Sequence, residues 1–290
     1  MVQSRPMDET LHTADGLDLQ LHHWPAPTTV QGRVLIVHGL GEHGGRYAHV
    51  AAALNAAGWS VSAHDQRGHG RSGGPRGGLA ADDSLLSDLA QVVDAVRGDG
   101  RFVLLGHSMG GLVAARFIAE ALAALPAPWS RPVDALVLSS PAIAAELSPA
   151  RKLLLAGMGR LAPDLAVGNG LDPQGVSRDP AVVRAYLADP LVHDRITARL
   201  GRFIVDEGVV VRERAAGWRV PTLLLWAGAD RLVAPSGSAG FAAAAPPEVV
   251  SAQVFDGLAH EIFNEPEQAA VLARLTQWLA TLGEHRGEHR

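Results

Sequence analysis

Gly106-His107-Ser108-Met109-Gly110 sets a serine between glycines, after the apolar run FVLLG and before a long alanine-rich helical pattern. This is the G-x-S-x-G form of a nucleophile elbow, in which a strained strand-to-helix turn lifts the serine Oγ above the carboxyl edge of a sheet. The flanking glycines remove side chains that would collide at so tight a corner. The N-terminus of the following helix offers free N–H groups and a partial positive charge, both suited to a developing oxyanion. The Met109 N–H is therefore expected to be one oxyanion donor.

A serine nucleophile needs a base, and the base needs an orienting carboxylate. Four histidines follow Ser108: His193, His260, His285 and His289. The last two sit in the polar tail GEHRGEHR, and His193 lies in a long stretch without strand patterns. His260 follows the strand-like VSAQVF through the loop DGLAH, so it is the expected base. Asp230 ends TLLLWAGAD, just beyond another strand. Asp256 also ends a strand but shares the His260 loop; a carboxylate on a separate loop grips the far side of an imidazole better. Asp230 is the expected acid. A second oxyanion donor should come from the loop after the strand RVLIVH, and the N–H of Leu40 in HGLGEHGGRY is the candidate.

Other chemistry is poorly supported. HEIFN, starting at His260, lacks the second histidine of H-E-x-x-H, and HGLGEH sets its two histidines on a glycine loop, so no metal site is expected. His38 reads as a loop-bracing residue. HDQRGHGRSGG follows a strand but lacks the features of a phosphate loop; Asp65, Arg67 and His69 are expected to tie it together. With no cysteine in the chain, disulfides and thiol chemistry are excluded. The net charge is −5 and there is a single lysine, Lys152, so no nucleic-acid partner is expected.

These side chains must be held by a scaffold of 290 residues, 47% hydrophobic, enough for a full core. Strand patterns occur at Leu17–Trp24, Arg33–His38, Trp59–His64, Phe102–Gly106, Ala135–Ser139, Thr222–Ala227 and Val250–Phe255. Helical patterns occur at Tyr47–Ala57, Ser84–Arg97, Met109–Leu125 and Glu267–Leu282. Such alternation implies an α/β fold, a mostly parallel sheet with helices on both faces. From Pro141 to Val220 no strand is legible, and helices are expected at Pro149–Leu161, Pro180–Ala188 and Asp194–Ala216. This predicts a core of residues 1–140 and 221–290 with an all-helical lid over 141–220. The N-terminus MVQSRPMDETLHTADG shows no signal-peptide pattern, and no apolar run approaches a membrane span, so a cytoplasmic location is expected.

In order along nearly the whole chain, HGLGEHGGRY, HDQRGHGRS, LLGHSMGG, LSSPA, YLADPLVH, GADRLV and LAHEIFNE resemble the monoacylglycerol lipase and lysophospholipase branch of the α/β-hydrolases, which is classed with serine aminopeptidase-like enzymes. The resemblance implies an α/β-hydrolase fold with a helical lid, and a triad at Ser108, Asp230 and His260. It implies oxyanion donors at Leu40 and Met109, no cofactor, and a small lipid ester as substrate. It further implies that Glu42, Arg46 and Tyr186 meet the glycerol end of the substrate; a Glu–Arg pair that only stiffens the loop is the competing reading. The apolar run KLLLAGMGRLAP, Lys152–Pro163, fits a lid that touches membranes, or one that packs on the core. Expected activity is hydrolysis of monoacylglycerol through an acyl-enzyme. Lysophospholipase or general carboxylesterase activity is the alternative, and a non-catalytic acyl-ligand receptor is the rival from another class.

Overall fold

The structure, a computed structural model, describes residues 6–27, 31–144 and 149–284. The tail with His285 and His289 lies outside the described residues. Strands β1 (Met7–His12), β2 (Asp18–Trp24) and β3 (Gly32–Val37) are followed by α1 (Ala48–Ala56), β4 (Trp59–His64), α2 (Ser84–Val96), β5 (Arg101–His107), α3 (Ser108–Glu120) and β6 (Ala135–Ser139). Then come α4 (Pro149–Leu161), β7 (Ala166–Gly168), α5 (Pro180–Ala188), β8 (Arg195–Thr197) and α6 (Ala198–Arg214). The chain ends with β9 (Thr222–Ala227), α7 (Pro235–Ala244), β10 (Val250–Phe255) and α8 (Gln268–Glu284).

Eight strands form one sheet in the order β1-β2-β4-β3-β5-β6-β9-β10. From β4 to β10 the pairs are parallel, while β1 and β2 join antiparallel at one edge. The inner strands are apolar over most of their length because both faces are covered, and their side chains alternate between two cores. Leu35, Val37, Leu104, Leu136, Leu138 and Leu224 point into the core built with α2 and α3. Val34, Ile36, Val103, Leu105, Val137 and Leu223 point into the core built with α1 and α8. The helices after β3 and β5, neighbouring strands, thus leave on opposite faces of the sheet. The crevice between these two strand ends is where open α/β sheets place their ligands.

The segment read as free of strands is corrected in one respect. β7 and β8 form a short antiparallel ladder, Ala166 with Thr197 and Gly168 with Arg195, so the segment is not all helical. Strands of three residues are too short to display a period. The helix expected from Asp194 therefore starts only at Ala198, where the Thr197 hydroxyl accepts the Leu200 N–H and caps it. Two further elements, β1 and α7, are absent from the sequence reading, and α3 ends at Glu120 rather than at Leu125. Among the described residues, no helix is long and apolar enough to cross a membrane.

Candidate active site

Ser108 is the first residue of α3 and adopts φ +54, the left-handed conformation that a serine reaches only under strain. The glycines around it are required by backbone contact. A Cβ on Gly106 would stand 2.4 Å from the Gly110 carbonyl oxygen, and one on Gly110 would stand 2.1 Å from that of Val37. The elbow is thereby pressed against the end of β3. The loop after β3 lies just as close, for a Cβ on Gly39 would come within 3.1 Å of Ser108 Cβ.

The loops after β9 and β10 bring Asp230 and His260 together. The His260 Nδ1–H donates to Asp230 Oδ2 at 2.6 Å, and both side chains are buried. Asp230 Oδ1 accepts the N–H groups of Leu232 and Val233, which fixes the carboxylate in its turn. Burial alone would raise the Asp230 pKa, but these bonds and the His260 ring hold it below the usual carboxylate range. Ser108 and His260 line one cavity of about 290 Å³. No hydrogen bond joins Ser108 Oγ to His260 Nε2 among the described residues; such bonds are often long before substrate arrives. His107 packs its ring 4.7 Å from that of His260 and bonds Ser139 Oγ at 3.0 Å. Burial drives its pKa down to about 4, so it stays neutral beside His260.

The two N–H groups expected to meet an oxyanion are both free of protein acceptors among the described residues. Met109 lies in the first turn of α3, where no intrahelical acceptor exists. Leu40 follows Gly39, whose own N–H is taken by Glu42 Oε1 at 2.6 Å. Glu42 also accepts from the Tyr47 hydroxyl at 2.7 Å and from Arg46 at 2.5 Å. Burial would raise its pKa, yet Arg46 and the neighbouring imidazoles bring it to about 2. The Arg46 guanidinium forks onto both oxygens of Glu261 at 2.7 Å, and the Tyr186 ring covers it at 4.9 Å. Glu42, Tyr186 and Glu261 line the cavity; Arg46 sits behind it.

The bracing expected elsewhere is present. His38 donates from Nδ1 to the Gly39 carbonyl at 2.7 Å and accepts the Gln66 N–H on Nε2 at 2.9 Å. Asp65 accepts the N–H groups of Gly44 and Arg71, and His69 Nδ1 bonds the Arg67 carbonyl. Arg67, however, reaches out of its loop to the buried Asp88 on α2. The segment between β6 and β9 supplies the opposite wall of the cavity through Leu171, Val176, Tyr186, Leu187, Val192 and His193. His193 holds it to the core, with its N–H on the Gly41 carbonyl at 2.8 Å and its Nε2 on the Gly68 carbonyl at 3.0 Å. His43 adds a contact of 2.9 Å with Asp189.

Residues 28–267 match the family described as serine aminopeptidase, S33. The chain belongs to that family. It is 38% identical to the monoacylglycerol lipase of Mycolicibacterium smegmatis, over 97% of this chain and 99% of the relative. Among solved structures, the monoacylglycerol lipase of Paleococcus ferrophilus is 34% identical, covers 91% of this chain and 98% of its own, and superposes with a TM-score of 0.80. A soluble variant of the Saccharomyces cerevisiae monoglyceride lipase, in complex with a substrate analogue, shares the fold at 22% identity, covering 96% of each chain with a TM-score of 0.82. The fold is therefore that of the α/β-hydrolases.

Two residues at this site lie in the landmark LAHEIFNE, but the sequence assigns them no role. Glu261 is visible only as the neighbour of His260, since its partner Arg46 lies 215 residues away. Glu265, fully buried, takes the Ala259 N–H beside His260 together with the Ser177 hydroxyl and the Arg178 N–H from across the cavity. Only the short acidic spacing of HEIFNE could have drawn attention to either.

Proposed function

We propose that this protein is a serine carboxylester hydrolase that releases fatty acid from monoacylglycerols. Ser108 Oγ attacks the ester carbonyl while His260 Nε2 takes its proton. Asp230 holds the imidazole in the tautomer that leaves Nε2 open and stabilises the cation that forms. The N–H groups of Leu40 and Met109 receive the oxyanion, each contributing about 2.7–4 kcal/mol to the transition state. His260 then protonates the departing glycerol oxygen, an acyl-enzyme remains, and water activated by the same ring releases the acid.

The observation that carries this reading is a His260 held by Asp230 and lining the same cavity as a strained serine, in a chain similar over 97% of its length to a monoacylglycerol lipase. Leu40, Leu171, Val176, Leu187, Val192 and Leu232 give an apolar wall for the acyl chain. Tyr186, whose hydroxyl makes no hydrogen bond among the described residues, is assigned to the glycerol end. Glu42 and Arg46, committed to each other and to neighbours, stiffen the loop. Residues 141–220 act as the lid over a core of 1–140 and 221–290. Leu153, Leu154 and Leu161 are 77%, 62% and 89% exposed on or at the end of α4, which supports a peripheral membrane contact by a cytoplasmic protein.

The test is Ser108→Ala. It should abolish release of fatty acid from monoacylglycerol and labelling by a fluorophosphonate, with the melting temperature kept. Turnover retained by that variant overturns the reading. Tight acyl binding by a wild type that never labels would instead favour a receptor.

A further inference from the structure

Two loops must keep register for this chemistry, and one buried cation touches both. The loop after β3 offers the Leu40 N–H; the loop after β10 carries His260. Arg46 binds Glu42, which fixes the first loop through the Gly39 N–H, and forks onto Glu261, the residue next to His260. Glu261 is held from further sides, by Asn264 Nδ2 at 2.8 Å on its carboxylate and by its own N–H on the Val176 carbonyl at 2.9 Å. Side-chain exposures of 12%, 4% and 6% for Arg46, Glu42 and Glu261 make the cluster largely buried, with the two carboxylates at the cavity wall and Arg46 behind them.

A buried carboxylate–guanidinium–carboxylate cluster is not an efficient source of stability, because desolvating three charges offsets their attraction. It does fix geometry, since a guanidinium fork admits one arrangement of the carboxylate it grips. We infer that Arg46 and Glu261 are positioning residues: their ion pair sets the distance and angle between the oxyanion loop and the histidine loop. The inference rests on the roles proposed above for Leu40 and His260. Direct binding of substrate by Arg46 fits less well, because its charge is taken by two carboxylates and it sits behind the cavity wall.

Glu261→Gln tests this cleanly. The change is isosteric and leaves Arg46 and Glu42 as a neutral pair, so no buried charge is stranded. Turnover per site titrated with a fluorophosphonate should fall about 10- to 100-fold, the effect of a displacement on the order of 1 Å at a reacting centre. The KM for monoacylglycerol should stay within about twofold, because the apolar wall and Tyr186 are untouched and the Glu261 carboxylate, though at the cavity wall, is taken up by Arg46 and Asn264. Acylation and deacylation, read as burst and steady-state rates on a nitrophenyl ester, should slow together, since both use the oxyanion loop and His260. Arg46→Lys should behave alike, as one ammonium cannot fork onto Glu261 while reaching Glu42; it serves as the test if Glu261→Gln melts below assay temperature. Wild-type turnover per site in either folded variant overturns the inference. So does a raised KM at constant kcat, which would make the pair a substrate contact. A wild type that hydrolyses no acyl ester defeats the proposed function itself, a separate result.

Discussion

α4 and α6 lie in the same segment between β6 and β9, yet they meet the rest of the molecule in different ways. α6 buries Leu200, Phe203 and Val211 in the core it shares with α3, continuing the packing of the sheet. α4 rests on α6 and leaves Leu153 and Leu154 largely exposed. Around α5, Val176 and Val183 are buried, but much of the attachment is polar: His193 to Gly41 and Gly68, His43 to Asp189, Arg178 to Glu265. The rim that holds Ser108 and His260 is thus built on close-packed strands, while the wall facing it is pinned by a few hydrogen bonds. Interiors of the first kind resist deformation. Contacts of the second kind can open separately, and binding loops are drawn from such low-stability regions.

Substitutions can break or sharpen this contrast. The largest effect is expected on the rim at Asp230→Asn, which removes the acceptor that sets the His260 tautomer. The turnover number should fall about 10⁴-fold with little change in melting temperature; a loss below tenfold would deny Asp230 its role. Next is Gly110→Ala, whose Cβ has nowhere to go because the carbonyl oxygens of Val37, the last residue of β3, and of His38 occupy the space. Denaturant unfolding should show a loss at or above the upper end of the roughly 1–3 kcal/mol typical of overpacking. The same substitution at Gly157 on α4, where a Cβ meets nothing within 4 Å, should not destabilise.

The pinned wall predicts a dependence on pH. Burial, with Arg76 nearby, lowers the His193 pKa from 6.5 to about 4. Above pH 6.5 the ring is neutral in both states and titration adds nothing. Between pH 6.5 and 4 the unfolded chain takes up a proton that the folded chain refuses, so stability falls as pH falls. Below about 4 both states carry it and this loss is complete. His193→Gln keeps a donor for the Gly68 carbonyl without titrating. Its melting temperature should decline less steeply over that range than the wild type's; parallel curves would assign the titration elsewhere. The smallest effect is expected on α4. Leu153→Glu with Leu154→Glu should weaken binding to anionic phospholipid vesicles severalfold and leave turnover of a soluble short-chain ester unchanged. Unchanged vesicle binding would remove α4 from any membrane contact.

How far the sequence reveals this molecule follows the same division. Ser108 and Asp230 are legible because each follows an inner strand buried on both faces, which reads as a nearly unbroken apolar run; His260 follows the edge strand β10, whose VSAQVF is legible instead by its bounded β-forming pattern. β1 is not legible because MDETLH is an exposed edge strand whose charges guard it against further pairing. α7, PSGSAGFAAA, is too rich in small residues to show an apolar face, and β7 and β8 are too short to show alternation. The Arg46–Glu261 pairing is not legible for another reason: both residues lie in marked motifs, but nothing local says that two residues 215 positions apart meet once the sheet has formed.

Ser108 holds the left-handed backbone without the freedom of a glycine, a conformation that costs on the order of 1–3 kcal/mol in every folded copy, idle or working. Replacement by glycine should therefore give a firmer and inert protein, so selection for robustness alone would drift toward erasing the hydroxyl. The tight glycine contacts on either side are what make that discomfort tolerable, and they tie the lifetime of the fold to the geometry of a single atom.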